Sequence, residues 1–222
     1  MLFVGIDFSI SSPAYCISSE DDVLVWGSVS RTDRSEESLK KNRIKPYYIL
    51  GESDLFSLYF LEKKDLPSDY SERERIKIKY FLEVVDSLWN SILDFVGDRE
   101  FTVAMEGLSF ASNGNALIDI SMATALLRER IVDVVGVDRF FVFSPTSIKK
   151  FALKGNAKKN ELYVSLYESE QSGKNMVEFQ RILRENSQEW ITGSGNVNKP
   201  VDDLVDATWI SLYLKNQQYG GK

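Results

Sequence analysis

Four carboxylates stand where a strand or a helix can aim them. Asp7 follows the apolar run Leu2-Phe3-Val4-Gly5-Ile6, and Glu106 closes Phe101-Thr102-Val103-Ala104-Met105 in the same way. Asp203 and Asp206 are three apart in an apolar C-terminal stretch, about 60° apart on a helix and therefore on one face. Each has a plain structural explanation when taken singly. Asp7 and Glu106 read as solvated strand ends, and Asp203 as a helix cap or a partner of the helix dipole. Asp202 can exchange roles with Asp203, one capping while the other faces a ligand. Asp206, deeper in the helix between Val205 and Ala207, resists the capping explanation.

The chain has no histidine. That removes Ser-His-Asp and Cys-His catalysis, histidine general bases and nearly every zinc or iron site. Any metal must then be held by carboxylate oxygens, which favours Mg²⁺, with Mn²⁺ able to substitute, or Ca²⁺. Two such ions about 4 Å apart can activate a water and stabilise a leaving oxygen, the chemistry of phosphodiester hydrolysis.

A phosphate-rich partner sits oddly with a net charge of −6. The average hides an asymmetry. From Arg139 to Lys159 the chain carries Arg139, Lys149, Lys150, Lys154, Lys158 and Lys159 with no Asp or Glu between them. Such a run is either a solvated helix face or a phosphate-binding edge, and Lys154-Gly155-Asn156-Ala157-Lys158-Lys159 at a helix start also offers backbone N–H groups to an anion.

These side chains need a frame. Residues 2–7 read as a strand, and Ala14–Ser18 with Val23–Val29 as a hairpin across the polar turn Ser19–Asp22. Residues 30–72 read as a further strand plus an irregular excursion, broken by Pro46 and Pro67. A helix is predicted from Ser71, with Ser71 and Glu74 as a capping box and Ile78, Phe81, Leu82, Val85, Leu88, Trp89 and Ile92 at helical spacing. A strand over Phe101–Met105, a helix over about Ala116–Val135, a strand over Phe140–Phe143 and a short helix over Ser147–Leu153 follow. Beyond them come a helix from about Ala157, a polar excursion over residues 168–200 and a last helix over about Val201–Lys215. Strands and helices alternate through the middle of the chain, which predicts a mixed α/β sheet with helices packed on it. With 222 residues, 43% hydrophobic, and no evident linker, one domain is expected. A single cysteine, no apolar run near 20 residues and no basic leader at the N-terminus predict a cytoplasmic protein with no membrane span.

In series, these blocks resemble the RuvC-type Holliday junction resolvases of the ribonuclease-H-like superfamily, in a bacteriophage branch. The blocks are Val4-Gly5-Ile6-Asp7-Phe8-Ser9, Met105-Glu106-Gly107, Ser144-Pro145-Thr146-Ser147-Ile148-Lys149-Lys150 with Gly155-Asn156-Ala157-Lys158-Lys159, and Asp203-Leu204-Val205-Asp206-Ala207. They span nearly the whole chain in the family's order. The resemblance implies a mixed five-stranded sheet, its first three strands antiparallel, with helices on both faces. It implies a single domain over residues 1–222 with insertions at about 30–72 and 160–200. It implies a homodimer that cuts four-way DNA junctions with Mg²⁺, in the cytoplasm of a bacterium or of a phage's host. Asp7, Glu106, Asp203 and Asp206 would then hold metal, and Lys149 and Lys159 would act at the scissile phosphate. Lys150, Lys154 and Lys158 would bind DNA. Phe110 would stack on junction bases or is simply a core aromatic. The helix over about Ala116–Val135 would form much of the dimer interface, with Ala123, Thr124 and Ala125 permitting close approach.

Two other readings are to be weighed. One is a related nuclease that acts on flaps, forks or RNA–DNA hybrids, since fold does not select substrate. The other is an actin- or sugar-kinase-like ATPase, which opens with a similar strand but needs a second lobe and a Gly-rich phosphate loop. Here Ser9-Ile10-Ser11-Ser12-Pro13 follows Asp7. A non-catalytic junction binder would have no use for the intact carboxylates.

Overall fold

A computed structural model describes residues 1–31, 45–62, 65–108, 114–192 and 195–219. Six strands form one mixed sheet: β1 (Leu2–Asp7), β2 (Ala14–Ser18), β3 (Val23–Arg31), β4 (Phe56–Leu61), β5 (Phe101–Glu106) and β6 (Phe140–Phe143), in the spatial order β4-β3-β2-β1-β5-β6. The pairs β1–β2 and β2–β3 are antiparallel, as a hairpin closed by Ser19 N–H donating to Asp22 O at 2.8 Å requires. The pairs β1–β5 and β5–β6 are parallel. The mixed sheet has one strand more than expected. The extra strand, β4, comes from the segment 30–72 and pairs parallel with β3 at the sheet edge.

Both faces of the sheet are covered, because β1 is apolar at every position before its terminal aspartate. Leu2, Val4 and Ile6 face α2 (Tyr70–Val96) and α3 (Asn115–Val135), packing with Val85, Leu88, Leu127 and Ile131. Phe3 points the other way, into a core shared with α5 (Lys159–Glu168), α6 (Lys174–Glu185) and α8 (Val201–Tyr219). Strand alternation therefore sends Asp7 to the face covered by α8.

The close approach of α8 depends on Gly5. A Cβ there would lie 2.3 Å from Ser211 N and 2.4 Å from Ala207 O, inside backbone atoms that cannot swing aside. Buried hydroxyls then fix the helix in register. Ser211 Oγ donates to Phe3 O at 3.0 Å, and Thr208 Oγ1 accepts from Trp26 Nε1 at 2.8 Å. Each of these buried polar groups is costly to leave unpaired, so sliding α8 along β1 is opposed.

Several element boundaries differ from expectation. The cap of α2 is Asp69, whose carboxylate accepts from Glu72 N–H at 2.8 Å, so the helix begins at Tyr70 and not with a box at Ser71. The polar stretch 168–200 is largely helical: α6 and the short α7 (Ser187–Trp190) occupy it. Its mean polarity conceals an inward stripe of Met176, Phe179, Ile182 and Leu183, all buried. Asp22 accepts from the N–H groups of Asn175 and Met176 at 2.9 and 3.3 Å, capping α6 from 153 residues away in sequence. No helix among the described residues is long and apolar enough to cross a membrane.

Candidate active site

Asp7 and Glu106 end adjacent parallel strands. Since Ile6 pairs with Met105, the two carboxylates emerge side by side at the C-terminal edge of the sheet. Open α/β sheets bind ligands at that edge. Helix α8 crosses the same edge and brings Asp206. The short α4 (Pro145–Ala152) and the start of α5 close the other side. Ser144 caps α4 by accepting from Ser147 N–H at 3.1 Å, with Pro145 in the first turn, and this directs Lys149 inward. The result is a cavity of about 220 Å³ lined by Asp7, Glu106, Lys149, Lys159 and Asp206, with Trp209 among its apolar walls.

Charge within the cavity is crowded. Burial, and then the negative charges of Asp203, Asp206 and Glu106, raise Asp7 well above the usual carboxylate range, against the opposing pull of Lys159. Burial raises Glu106 to about 7, with Asp206 adding to the effect and Lys149 and Lys159 opposing it. Asp206 is also raised, chiefly by burial, while Lys159 and Lys149 hold it down. Lys159 Nζ lies 2.8 Å from Asp202 Oδ2 and 3.3 Å from Asp206 Oδ2, and these anions keep it protonated despite its desolvation.

The two aspartates in the first turn of α8 part company. Asp203 is buried and gives both oxygens to Lys199 Nζ, at 2.7 and 2.8 Å. Asp202 shares Lys159 with Asp206 one turn on, and its Oδ1 is buried without a partner among the described residues. Asp206 lines the cavity directly, while Asp203 acts on it through its charge on Asp7.

The donors suit a hard divalent cation in type and charge: anionic oxygens that repel one another, together with a buried carboxylate oxygen still lacking a partner. Among the described residues, no three such side chains already converge at ligand spacing, and the positive charge nearest Asp202 and Asp206 is the ammonium of Lys159.

The basic stretch divides once folded. Lys149 and Lys159 line the cavity, and Lys150 and Lys158 are exposed outside it. Lys154 pairs with Glu161, and Arg139 donates to Val135 O at 3.0 Å. Glu161 lies just beyond the acid-free run, so part of its positive charge is cancelled by the next helical turn. Phe110 lies outside the described residues.

Of the small residues of α3 expected to allow close helix approach, Ala123 and Thr124 are buried within the chain and Ala125 is exposed. Ala123 and Thr124 are buried against α2, Ala123 packing with Tyr80, Phe81 and Val84. They set the spacing of α2 and α3 within the chain. Ile118 and Met122, one turn apart, and Val134 near its end are exposed apolar side chains of α3.

Sequence reasoning missed Lys199 and the use of Gly5 as a spacer. The second had a signal, since a glycine inside an apolar strand marks close backbone approach. The first had one too, since Lys199 stands four residues before Asp203, a spacing that suits an ion pair.

Sheet order and strand directions define a mixed α/β fold, with carboxylates and lysines gathered at the C-terminal edge of its parallel strands. Thermus thermophilus RuvC is structurally similar to this chain at 14% identity and a TM-score of 0.44, over 100% of this chain and 96% of that one. T. thermophilus RuvC in complex with Holliday junction substrate is similar at 15% identity and a TM-score of 0.46, over 100% and 95%. No family model and no curated protein matches the sequence.

Proposed function

We propose that this chain is a divalent-metal-dependent endonuclease that resolves four-way DNA junctions, acting as a homodimer of single-domain subunits in the cytoplasm. The observation that carries this reading is the gathering of Asp7, Glu106 and Asp206 with Lys149 and Lys159 around one cavity at the C-terminal edge of the sheet. The carboxylates would hold Mg²⁺, or Mn²⁺ in its place, with Asp203 or Asp202 completing the set. A bound divalent ion supplies Lewis acidity toward a phosphodiester and lowers the pKa of a bound water.

The protein's own groups do the rest. Lys149 and Lys159 bring positive charge to the scissile phosphate, and the apolar wall around Trp209 and Ile148 limits water access. Exposed Lys150 and Lys158 extend the basic surface, so the DNA backbone would run over α4 and the start of α5. Ile118 and Met122 on α3 offer an apolar patch for a second subunit, and two sites related by a twofold axis match the paired strands of a junction.

The test is nicking of a synthetic four-way junction with Mg²⁺, beside linear duplex, fork, flap and RNA–DNA hybrid substrates. Paired nicks in the junction, absent from the duplex, are expected. Equal or faster cutting of the linear hybrid would sink the junction reading in favour of a related nuclease.

A further inference from the structure

A second cavity, of about 530 Å³, lies between the edge strand β4 and α1 (Lys45–Gly51). Phe56, Leu58 and Phe60 line it from β4, as alternate residues on one face of the strand. Tyr47 and Tyr48 line it from α1, with Gly51 and Glu52 where that helix ends.

The aromatic walls are fixed from behind. Phe56 stacks on Trp26 at 5.7 Å between ring centroids and meets Phe179 edge-on at 5.5 Å. Tyr47 is buried, its hydroxyl accepts from Ser30 Oγ at 2.6 Å, and its ring lies 5.3 Å from that of Phe60. Tyr48 is 63% exposed and stands at the rim. Walls already held in place lose little freedom when a flat ring enters between them.

Charge selects the kind of ring. Glu52 is exposed, and no lysine or arginine joins it among the described lining residues. A phosphate is therefore disfavoured inside the cavity, whereas a ring that carries hydrogen-bond donors is favoured. A carboxylate accepts and cannot donate. Of the four DNA bases, only guanine sets two donors side by side on one edge, its N1–H and its N2 amino group, which two carboxylate oxygens can accept together. In duplex DNA that edge is covered by cytosine, so only an unpaired guanine offers it.

The cavity also faces the right way. β4 is parallel to β3, and two antiparallel steps lead from β3 through β2 to β1. The C-terminal ends of β4 and β1 therefore lie along one edge of the sheet, with Phe60 near the first and Asp7 at the second. Leu50 of α1 and Phe56 share the core that α8 packs into, on the same face as Asp7.

We propose that this cavity takes an unpaired guanine base of a DNA substrate, with its ring against Tyr48 and the aromatics of β4 and its two donors on Glu52. Base–aromatic stacking supplies affinity, and the carboxylate supplies the choice of base. This rests on the DNA-binding part of the reading above and goes beyond it, since the cavity lies apart from the carboxylate site.

Fluorescence anisotropy of a labelled oligothymidylate carrying one central guanine tests this, beside the same oligomer with adenine or thymine there. EDTA is present, so that cleavage does not intervene. The guanine strand should bind about tenfold more tightly than either, within the range for a bidentate base contact. Equal affinity for guanine and adenine overturns the inference. Two variants locate the site. A Cβ on Gly51 would meet only Leu58 Cδ1, at 4.0 Å, so Gly51→Leu fills the cavity and should abolish the preference. Glu52→Gln, at an exposed position, should fold even if Gly51→Leu does not, and it cannot accept both donors. A tenfold preference retained in either folded variant overturns the proposal. Nicking of a four-way junction with Mg²⁺ separates the two readings. A wild-type chain that nicks junctions without a guanine preference sinks the cavity inference alone. A guanine preference in a chain that nicks no nucleic acid sinks the nuclease reading alone.

Discussion

The ammonium of Lys159 and the carboxylate of Asp206 stand 3.3 Å apart, and the same ammonium is 2.8 Å from Asp202. One lysine thus joins two successive turns of α8 to the start of α5. Lys159 is half exposed, so its pairing is partly screened by solvent, but the carboxylates it faces are mostly buried. Removing the lysine leaves them repelling one another. Lys159→Ala should therefore slow junction cleavage by about 10–100-fold, the usual range for loss of a group that supports a metal site. Single-turnover rates at saturating enzyme check this, and full activity would reduce Lys159 to a solvated surface charge.

Asp7→Asn and Asp206→Asn should each abolish detectable nicking while leaving junction affinity within a few fold, because the carboxylates face the cavity and not the exposed lysines. The same changes should make the metal-free protein more stable, since each removes a buried negative charge from a repelling cluster. A rise in Tm is expected, on a scale of about 2–4 °C per kcal/mol for a chain of this size. A fall in Tm would mean that the carboxylates hold the fold together.

Stability should also depend on pH in a definite direction. Glu106 rises from 4.5 to about 7 on folding and Asp203 from 3.8 to about 6, both mainly through burial. A carboxyl raised on folding favours the folded state below its unfolded pKa, and that advantage is lost as pH climbs through the folded value. Metal-free protein should lose stability from about pH 4 to pH 7 on account of these two groups. Mg²⁺ should restore it more at pH 7 than at pH 5, because only ionised carboxylates bind the ion. Thermal melts across that range, with EDTA and with Mg²⁺, provide the measurement.

Gly5→Ala should be damaging out of proportion to one methyl group. The added Cβ would meet the backbone of α8 at Ser211 and Ala207, so the helix must move away from β1. That displaces Asp206 from Asp7, and a shift on the order of 1 Å near a reacting centre costs roughly a hundredfold in rate. A folded Gly5→Ala protein with unchanged cleavage would show that α8 has more freedom than its buried hydroxyl bonds suggest.

Ile118→Glu and Met122→Glu, on the exposed side of α3, should give a monomer by light scattering without lowering stability by more than about 1 kcal/mol. Ala123→Leu, on the buried side, should instead destabilise the subunit by about 1–3 kcal/mol through overpacking against α2. A dimer that survives both glutamate substitutions places the interface elsewhere.

Local pattern determined much of this protein from the sequence alone. Alternation and apolar runs specify β1, β2, β3, β5 and β6, and helical periodicity specifies α2, α3 and α8, because those signals are set by neighbours a few residues away. The absence of histidine, the placing of Asp7 and Glu106 at strand ends and of Asp206 inside an apolar helix likewise point to carboxylate chemistry before any contact is known. What the sequence left undecided is what depends on long-range pairing. The strand β4 joins the edge by bonding to β3 across an intervening segment, and α6 is polar on average with a buried stripe and a cap 153 residues away. The inward turn of Ala123 is settled by α2, and the pairing of Asp202 by Lys159, 43 residues away, which only folding brings to α8. Composition and spacing can nominate adjacent aspartates for one role, but only the tertiary structure decides which cation each one meets.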